Sequence, residues 1–195
     1  MRHDLPSTGV AIPLRAFGSG KGRLADRLDH VEREHLVRTM AQRVRNAAGS
    51  LPVVVVSSDH DVTRWARSVD AELLPDPGSL DAAAAAACSW AVERDFCDLV
   101  IAHADLPHAR TLTPVLRAQN TGNNTMSAVR SHRDDGTPVL RLPSTLEFRF
   151  SYGPGSFTRH RAEAHRHGLE FLQVDDPELA FDVDLPEDLD TMGSR

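Results

Sequence analysis

Residues 81–107 read DAAAAAACSWAVERDFCDLVIAHADLP, and this stretch predicts a helix, a buried strand and a polar loop in succession. Six consecutive alanines favour a helix over Asp81–Glu93. Leu99–Ala102 is short and wholly apolar, as expected of a strand that is buried on both faces. Asp105 follows this strand by three residues, and Pro107 prevents the extended segment from continuing. The stretch therefore predicts an acidic side chain at the carboxyl end of a buried strand.

The same alternation of short apolar strands and helices continues through the chain. Further strands are predicted at Val10–Leu14, Val53–Val56, Glu72–Leu74, Met126–Val129, Val139–Leu142 and Leu169–Val174. Further helices are predicted at Val31–Ala48, Asp61–Ser68, Pro114–Gln119, Ser156–His167 (with Ser156 as its cap) and Pro186–Met192. Such alternation is typical of an α/β domain with a mostly parallel central sheet, and residues 1–195 are expected to form one domain. Ligands of these sheets bind at the carboxyl ends of the strands.

Composition and charge exclude several classes of protein. The net charge of −6 argues against nucleic acid as the main partner, because nucleic-acid-binding proteins need a basic surface. No apolar run approaches the ~20 residues that cross a bilayer, and the first residues do not resemble a signal peptide. We therefore expect a cytoplasmic protein with no membrane partner. Cys88 and Cys97 have the spacing of neither a redox pair nor a zinc site.

Two acidic residues near the carboxyl terminus form a candidate metal site. Asp182 and Asp184 are two residues apart, so in an extended segment their side chains point to the same side. Two carboxylates on one side repel each other unless a cation lies between them, and carboxylate oxygens suit Mg²⁺. The alternative is that both residues cap the last helix or lie in solvent.

A glycine-containing loop follows the first predicted strand. Residues 17–22 read FGSGKG, and glycines of this kind let backbone N–H groups approach phosphates. The spacing matches neither the P-loop nor the dinucleotide-binding motif, and an ordinary surface loop is the alternative. Lys21 is the only lysine among 22 basic residues, which indicates a position where arginine cannot replace it.

A third candidate anion site lies at residues 152–157, which read YGPGSF. Here a glycine turn leads into a helix whose first N–H groups are expected to be free. Gly136 and Thr137 form another turn rich in donors, although both segments also fit ordinary turns. His103 lies two residues before Asp105 and could contact a ligand, although a surface or core role is expected for it. No Ser-His-Asp or Cys-His arrangement is evident, and phosphoryl transfer requires none.

The order of these motifs closely resembles that of the 2-phospho-L-lactate guanylyltransferases of coenzyme F420 biosynthesis, including members that use phosphoenolpyruvate. The resemblance extends from about residue 10 to residue 190, and its last two motifs are the most specific. The motifs are Ile12-Pro13-Leu14-Arg15, Lys21-Gly22-Arg23-Leu24, Asp76-Pro77-Gly78, Ala104-Asp105-Leu106-Pro107, Gly136-Thr137, Tyr152-Gly153-Pro154-Gly155-Ser156-Phe157 with His160, and Asp182-Val183-Asp184-Leu185-Pro186-Glu187-Asp188-Leu189.

The resemblance implies a nucleotidyltransferase fold of the GT-A-like, Rossmann-like kind, with GTP, Mg²⁺ and a small phosphorylated carboxylic acid as partners. It implies a homodimer as well. The roles it transfers by motif are metal binding at Asp105, Asp182 and Asp184, catalysis at Lys21, Arg23 and Asp105, and substrate binding at Arg15, Thr137, Gly153 and Ser156.

Several positions depart from the family pattern and leave the substrates open. Asp81 replaces a frequent asparagine and places an anion where an amide could contact the nucleotide base. Pro138 removes a backbone donor beside the expected acid site. Gly22 stands where serine or threonine is common. The alternatives are a related nucleotidyltransferase with another acceptor such as 3-phosphoglycerate, a GT-A glycosyltransferase, for which the chain lacks an acceptor domain, and a non-catalytic nucleotide-binding homologue.

Overall fold

One sheet forms the centre of the computed structural model, which describes residues 7–18, 21–118, 124–133 and 135–192. Seven strands are found within these residues: β1 (Thr8–Pro13), β2 (Val53–Val56), β3 (Glu72–Leu74), β4 (Asp98–Ala102), β5 (Thr125–Val129), β6 (Val139–Pro143) and β7 (Glu170–Gln173). Their order is β3-β2-β1-β4-β6-β5-β7. Only β6 runs antiparallel to its neighbours, so the predicted mostly parallel sheet is confirmed. Parts of the predicted segments fall outside the described residues, at Ser19, Gly20, Gln119 and Asp134.

The described helices are α1 (His30–Ala47), α2 (His60–Ser68), α3 (Leu80–Glu93), α4 (Thr113–Arg117), α5 (Ser156–Arg166), α6 (Pro177–Ala180) and α7 (Pro186–Met192). A single 3-10 turn lies at Gly22–Leu24. The prediction missed this turn and α6 because neither is long enough to show helical periodicity. The predicted cap of α5 is wrong, because Gly155 is the capping residue and Ser156 is already helical. None of the described helices is both apolar enough and long enough to cross a bilayer.

Two helical layers cover the two faces of the sheet. Alternate strand residues point to opposite faces, so Ile12 packs with α1 and α2, whereas Ala11 packs with α3 and α5. The alanine run allows α3 to approach the sheet closely, with Ala84 and Ala87 fully buried. A β-carbon at Gly9 would lie 2.6 Å from the Trp90 ring, so only glycine permits this packing.

The strand order creates a topological switch point at the carboxyl ends of β1 and β4. The chain passes from β1 to β2 on one side and later returns as β4 on the other side of β1, which opens a crevice between the ends of β1 and β4. Because β6 is antiparallel to β4, its first residue pairs with the last residue of β4. The loops after β1, after β4 and before β6 therefore meet at the same end of the sheet, where β1 and β4 finish.

Candidate active site

A cavity of about 430 Å³ opens at the carboxyl ends of β1 and β4. Its lysine and arginines come from the segment that follows β1, His103 and Asp105 come from the loop after β4, and Asp184 comes from the segment before α7. Its polar lining consists of Arg15, Lys21, Arg23, His103, Asp105 and Asp184. The structure thus brings together at one cavity five residues that the sequence predicted for the site, together with His103.

Lys21 links the two acidic loops at the base of the cavity. Its ammonium nitrogen donates to Asp105 Oδ2 at 2.6 Å and to Asp184 Oδ1 at 2.7 Å. The Lys21 side chain is 10% exposed, that of Asp105 24% and that of Asp184 48%. Lys21 has φ 63° and ψ 32°, a left-handed conformation that non-glycine residues rarely adopt. Strained backbone of this kind clusters at functional sites, and here it directs the only lysine at the two carboxylates.

The charges of the three groups stabilise one another. Burial opposes the charge of Lys21, but Asp105 and Asp184 outweigh that effect and raise its pKa. Burial likewise opposes the charge of Asp105, but Lys21 outweighs it and holds the pKa of that carboxyl below its usual value. Both groups are therefore fully charged at neutral pH. Oδ1 of Asp105 is buried and has no hydrogen-bond partner among the described residues.

Asp182 lies beside this cluster but faces other partners. Buried Phe181 and Val183 alternate with half-buried Asp182 and Asp184, which confirms that the two carboxylates share one side. Asp182 Oδ1 accepts a hydrogen bond from Ser131 Oγ at 2.9 Å. Burial, and then the negative charge of Asp105, raise the pKa of Asp182. Asp182 is therefore less readily ionised than Asp105, which Lys21 holds in its charged form.

The donor set suits a magnesium ion held jointly with phosphates. Among the described residues, no three His, Cys, Asp or Glu side chains form a group able to hold a metal ion on their own. Magnesium commonly uses only one or two carboxylates, with substrate phosphates and waters completing its octahedron. Asp105, with an unpartnered buried oxygen, and the neighbouring Asp184 meet that requirement. The role of Asp182 as a third ligand stays a prediction.

Asp188 anchors the loop that carries Asp184. Its buried carboxylate accepts the backbone N–H of Asp184 and that of Leu185, both at 2.8 Å. Arg133 pairs with its other oxygen. Sequence reasoning missed this positioning role, although an acidic residue at the third position of a helix is a known signal of a cap.

Arg15 and Arg23 have different surroundings. Arg15 donates from Nε to Asp76 Oδ2 at 3.2 Å and from NH2 to the Gly78 carbonyl at 2.5 Å. It therefore fastens the loop before α3 to the rim of the cavity. Arg23 is exposed and forms no ion pair with any residue that the structure describes, so its guanidinium can meet an anion in the cavity.

Thr137 and Ser156 lie side by side in the interior, outside the described lining of the cavity. Their hydroxyl oxygens are 3.0 Å apart, and Thr137 Oγ1 is 3.1 Å from His160 Nδ1. The backbone N–H of Ser151 donates to His160 Nε2 at 3.1 Å, so a neutral His160 carries its proton on Nδ1 and donates to Thr137. Only one of the two hydroxyl hydrogens can lie between the oxygens. The other has no acceptor among the described residues, which makes the group a net donor suited to an anion.

The start of α5 differs from the prediction that its first N–H groups are free. Phe157 N–H donates to the Asp135 carbonyl at 2.8 Å, and Thr158 N–H donates to the Asp135 carboxylate at 3.1 Å. Gly153 is exposed with φ 99°, and its carbonyl accepts from Ser156 N–H at 3.0 Å. An anion could reach these N–H groups only by displacing Asp135. The predicted contacts of Gly153 and Ser156 with substrate stay predictions.

Asp81 occupies a different place from the one its sequence position suggested. Its Oδ1 accepts a hydrogen bond from the backbone N–H of Tyr152 at 2.7 Å. The carboxylate therefore holds residues 152–157 against the start of α3, and Asp81 is not among the described residues that line the cavity. Because Asp81 lies outside the described lining of the cavity, its charge gives no structural reason to question which nucleotide base the protein prefers.

The buried His160 makes stability depend on pH. Burial lowers its pKa to about 4, so the folded protein favours the neutral ring more than the unfolded chain does. Stability from this residue is complete above its unfolded pKa near 6.5 and falls as the pH drops through 4, with a loss of about 3 kcal/mol by pH 4. Urea unfolding at pH 7, 5 and 4 measures this loss. His160→Asn keeps a donor towards Thr137 but cannot titrate, so its stability should change less with pH, and parallel curves would contradict the assignment.

The comparisons with known protein sequences match guanylyltransferases. The family model described as "Guanylyl transferase CofC like" matches residues 8–192. A phosphoenolpyruvate guanylyltransferase of Rubrobacter xylanophilus is 34% identical over 190 residues, covering 94% of this chain and 92% of that protein. One of Sphaerobacter thermophilus is 31% identical over 196 residues, covering 97% and 94%. A 3-phospho-D-glycerate guanylyltransferase of Phenylobacterium zucineum is 31% identical over 194 residues, covering 91% and 85%.

Solved structures with low sequence identity share the fold. A putative nucleotide-diphospho-sugar transferase from Desulfovibrio desulfuricans G20 superposes with a TM-score of 0.75 at 15% identity, covering 96% of this chain and 86% of that chain. A nucleotidyl transferase from Methanothermobacter superposes with a TM-score of 0.66 at 14% identity, covering 96% and 98%. The sheet is therefore that of the nucleotidyltransferase fold, as predicted.

Proposed function

Because the chain belongs to the family of CofC-like guanylyl transferases, we propose that it transfers GMP from GTP to the phosphate of phosphoenolpyruvate. 2-Phospho-L-lactate is the other acid that the sequence favours. The observation that carries the proposal is the cluster of Lys21, Asp105 and Asp184 at the cavity. It joins a buried cation and two carboxylates at the switch point, where ligands of such sheets bind.

The reaction is an in-line displacement at phosphorus. An oxygen of the acid's phosphate attacks the α-phosphorus of GTP and forms a new P–O bond. The bond from the α-phosphorus to the bridging oxygen breaks, and pyrophosphate leaves with that electron pair. A phosphate monoester is largely dianionic at neutral pH, since its second pKa is about 6, so no protein base is required. The protein must instead position two anions and neutralise their charge.

The basic lining of the cavity fits that task. Lys21 and Arg23 would neutralise the charge that develops on the β- and γ-phosphates. Arg15, fixed to the loop before α3, would bind the nucleotide at the rim. Asp105 and Asp184 would hold Mg²⁺, with Asp182 as the further predicted ligand. When bound, this ion would lower the repulsion between the two substrates and stabilise the leaving pyrophosphate.

Pyrophosphate release tests the proposal. Purified protein is incubated with GTP and Mg²⁺, and phosphoenolpyruvate, 2-phospho-L-lactate and 3-phosphoglycerate are supplied in separate reactions. We expect release that depends on phosphoenolpyruvate, with a product whose mass is that of GMP joined to the acid. Omission of the acid and replacement of GTP by ATP or CTP are the controls. Folded protein that is silent with all three acids would refute the proposal and favour a non-catalytic homologue.

The second candidate acceptor is 3-phosphoglycerate. It is favoured by the similarity to the Phenylobacterium enzyme, whose name specifies that acid. Release with 3-phosphoglycerate alone would select it. A role in coenzyme F420 biosynthesis, a cytoplasmic location and a homodimer stay predictions from the resemblance.

A further inference from the structure

Two of the polar residues that line the cavity, His103 and Asp105, carry a buried side-chain atom that lacks a hydrogen-bond partner in the described part of the chain. Among the described residues, His103 Nε2, Asp105 Oδ1 and Tyr152 Oη are each buried and make no hydrogen bond. Native proteins leave few such atoms unsatisfied, because each has lost its hydrogen bonds to water without gaining others. Asp105 already belongs to the proposed site. His103 lies between Asp105 and Tyr152, so the three unsatisfied atoms follow one another along one side of the site. They indicate that a bound ligand supplies hydrogen-bond partners there.

His103 stands where two parts of the site meet. It directly follows β4, and its backbone N–H donates to the carbonyl of Pro138 at 2.9 Å, which fixes the chain there. His103 is among the residues that line the cavity, together with Asp105. Its ring centroid is 5.2 Å from that of Tyr152, at an interplanar angle of 47°. The imidazole thus separates the charged base of the cavity from residues 152–157.

We propose that His103 contacts the phosphorylated acid directly and donates a hydrogen bond from its imidazole to an anionic oxygen of that substrate. This inference rests on the proposed function and adds to it a residue that the family resemblance did not assign. Rotation about the Cβ–Cγ bond exchanges the nitrogen and carbon positions of the ring, so a nitrogen can be presented to the cavity. A neutral imidazole always has one N–H to donate, and an anionic acceptor makes that bond a strong one.

The position of His103 indicates that it would contact the phosphorylated acid rather than the nucleotide. The three basic residues expected to meet GTP, Arg15, Lys21 and Arg23, all come from the loop after β1. His103 lies in the loop after β4 and packs against Tyr152, on the side of the residues expected to bind the acid. Loss of its nitrogen should therefore weaken acid binding and leave GTP binding intact.

The test compares His103→Phe with His103→Gln by steady-state kinetics. Phenylalanine keeps a ring against Tyr152 but has no donor, whereas glutamine supplies a donor on a chain of similar length. We expect His103→Phe to raise KM for phosphoenolpyruvate about 10- to 100-fold, with the dissociation constant of GTP changed less than about twofold. His103→Gln should recover at least part of the lost affinity.

His108→Phe is the matched control. His108 lies in the same loop and packs against a ring, that of Phe181 at 5.1 Å, but it is not among the described residues that line the cavity. This variant should keep the wild-type KM for phosphoenolpyruvate. Thermal unfolding of all the variants establishes that each is folded, and His103→Ala, which also lacks a donor, carries the test if His103→Phe is not.

Two results would overturn the inference. The first is a wild-type KM for phosphoenolpyruvate in His103→Phe, or in His103→Ala if the phenylalanine variant does not fold. The second is an equal loss of GTP and acid binding, which would indicate a packing role. If the wild type releases pyrophosphate and the His103 variants behave like the wild type, the inference about His103 is refuted and the proposed function stands. Wild-type protein that is silent with every acid refutes the proposed function and, with it, the inference.

Discussion

Replacing Asp105 with asparagine is expected to lower the turnover number by roughly 10³-fold or more, because a carboxylate that would hold Mg²⁺ beside the reacting phosphates is lost. Asparagine has nearly the same shape, so packing at the end of β4 is kept. Lys21 retains its second partner, since Asp184 also accepts from the ammonium at 2.7 Å. The variant should therefore fold and still lose activity. Pyrophosphate release with saturating GTP and phosphoenolpyruvate measures the change, and circular dichroism with thermal unfolding checks the fold.

Asp190→Asn is the control for that substitution. Asp190 pairs with Arg27 at 2.7 Å, but the two side chains are 65% and 49% exposed, so the pair contributes little. Its activity should equal that of the wild type, whereas Asp184→Ala should lose activity as Asp105→Asn does. Near-normal turnover in Asp105→Asn or Asp184→Ala would end the assignment of these carboxylates to the metal.

Replacing Lys21 with arginine is expected to lower kcat/KM by roughly 10²-fold, although the charge is conserved. The ammonium is a compact cation that contacts both Asp105 and Asp184 from a nearly buried position. A guanidinium is larger and planar, and it pairs best with one carboxylate at a time. Lys21→Met, which removes the charge and keeps the length, should lose still more activity and also stability, because the two carboxylates would then face each other unpaired.

Arg27→Lys is the matched control for Lys21→Arg. It exchanges the same two residue types at an exposed ion pair, and it should leave kcat/KM unchanged. The same steady-state assay serves all three variants. If Lys21→Arg retains full activity, any cation suffices at this position, and the special role assigned to the single lysine is wrong.

Local sequence patterns were sufficient for the described strands and for every described helix except α6 and the 3-10 turn. The apolar run at Val53–Val56 is β2, with the predicted bounds. The alanine run is α3, and Ser79 caps this helix by accepting the N–H of Ala82. Patterns of this kind depend on residues close in sequence, so they can be recognised without knowledge of the fold. The residues that cap helices were harder to predict, since Gly155 and not Ser156 caps α5.

The sequence by itself determined the fold class, the mostly parallel sheet and the acids and basic residues that meet at its edge. It could do so because strands and loops follow from local periodicity, and because parallel strands place their carboxyl ends together. Only the tertiary structure decided that Asp81 binds Tyr152, 71 residues away, and that Asp135 occupies the start of α5. It alone revealed the unpartnered nitrogen of His103 beside the cavity. These contacts join side chains from separate loops, and their energies depend on distance and burial, which no local pattern records.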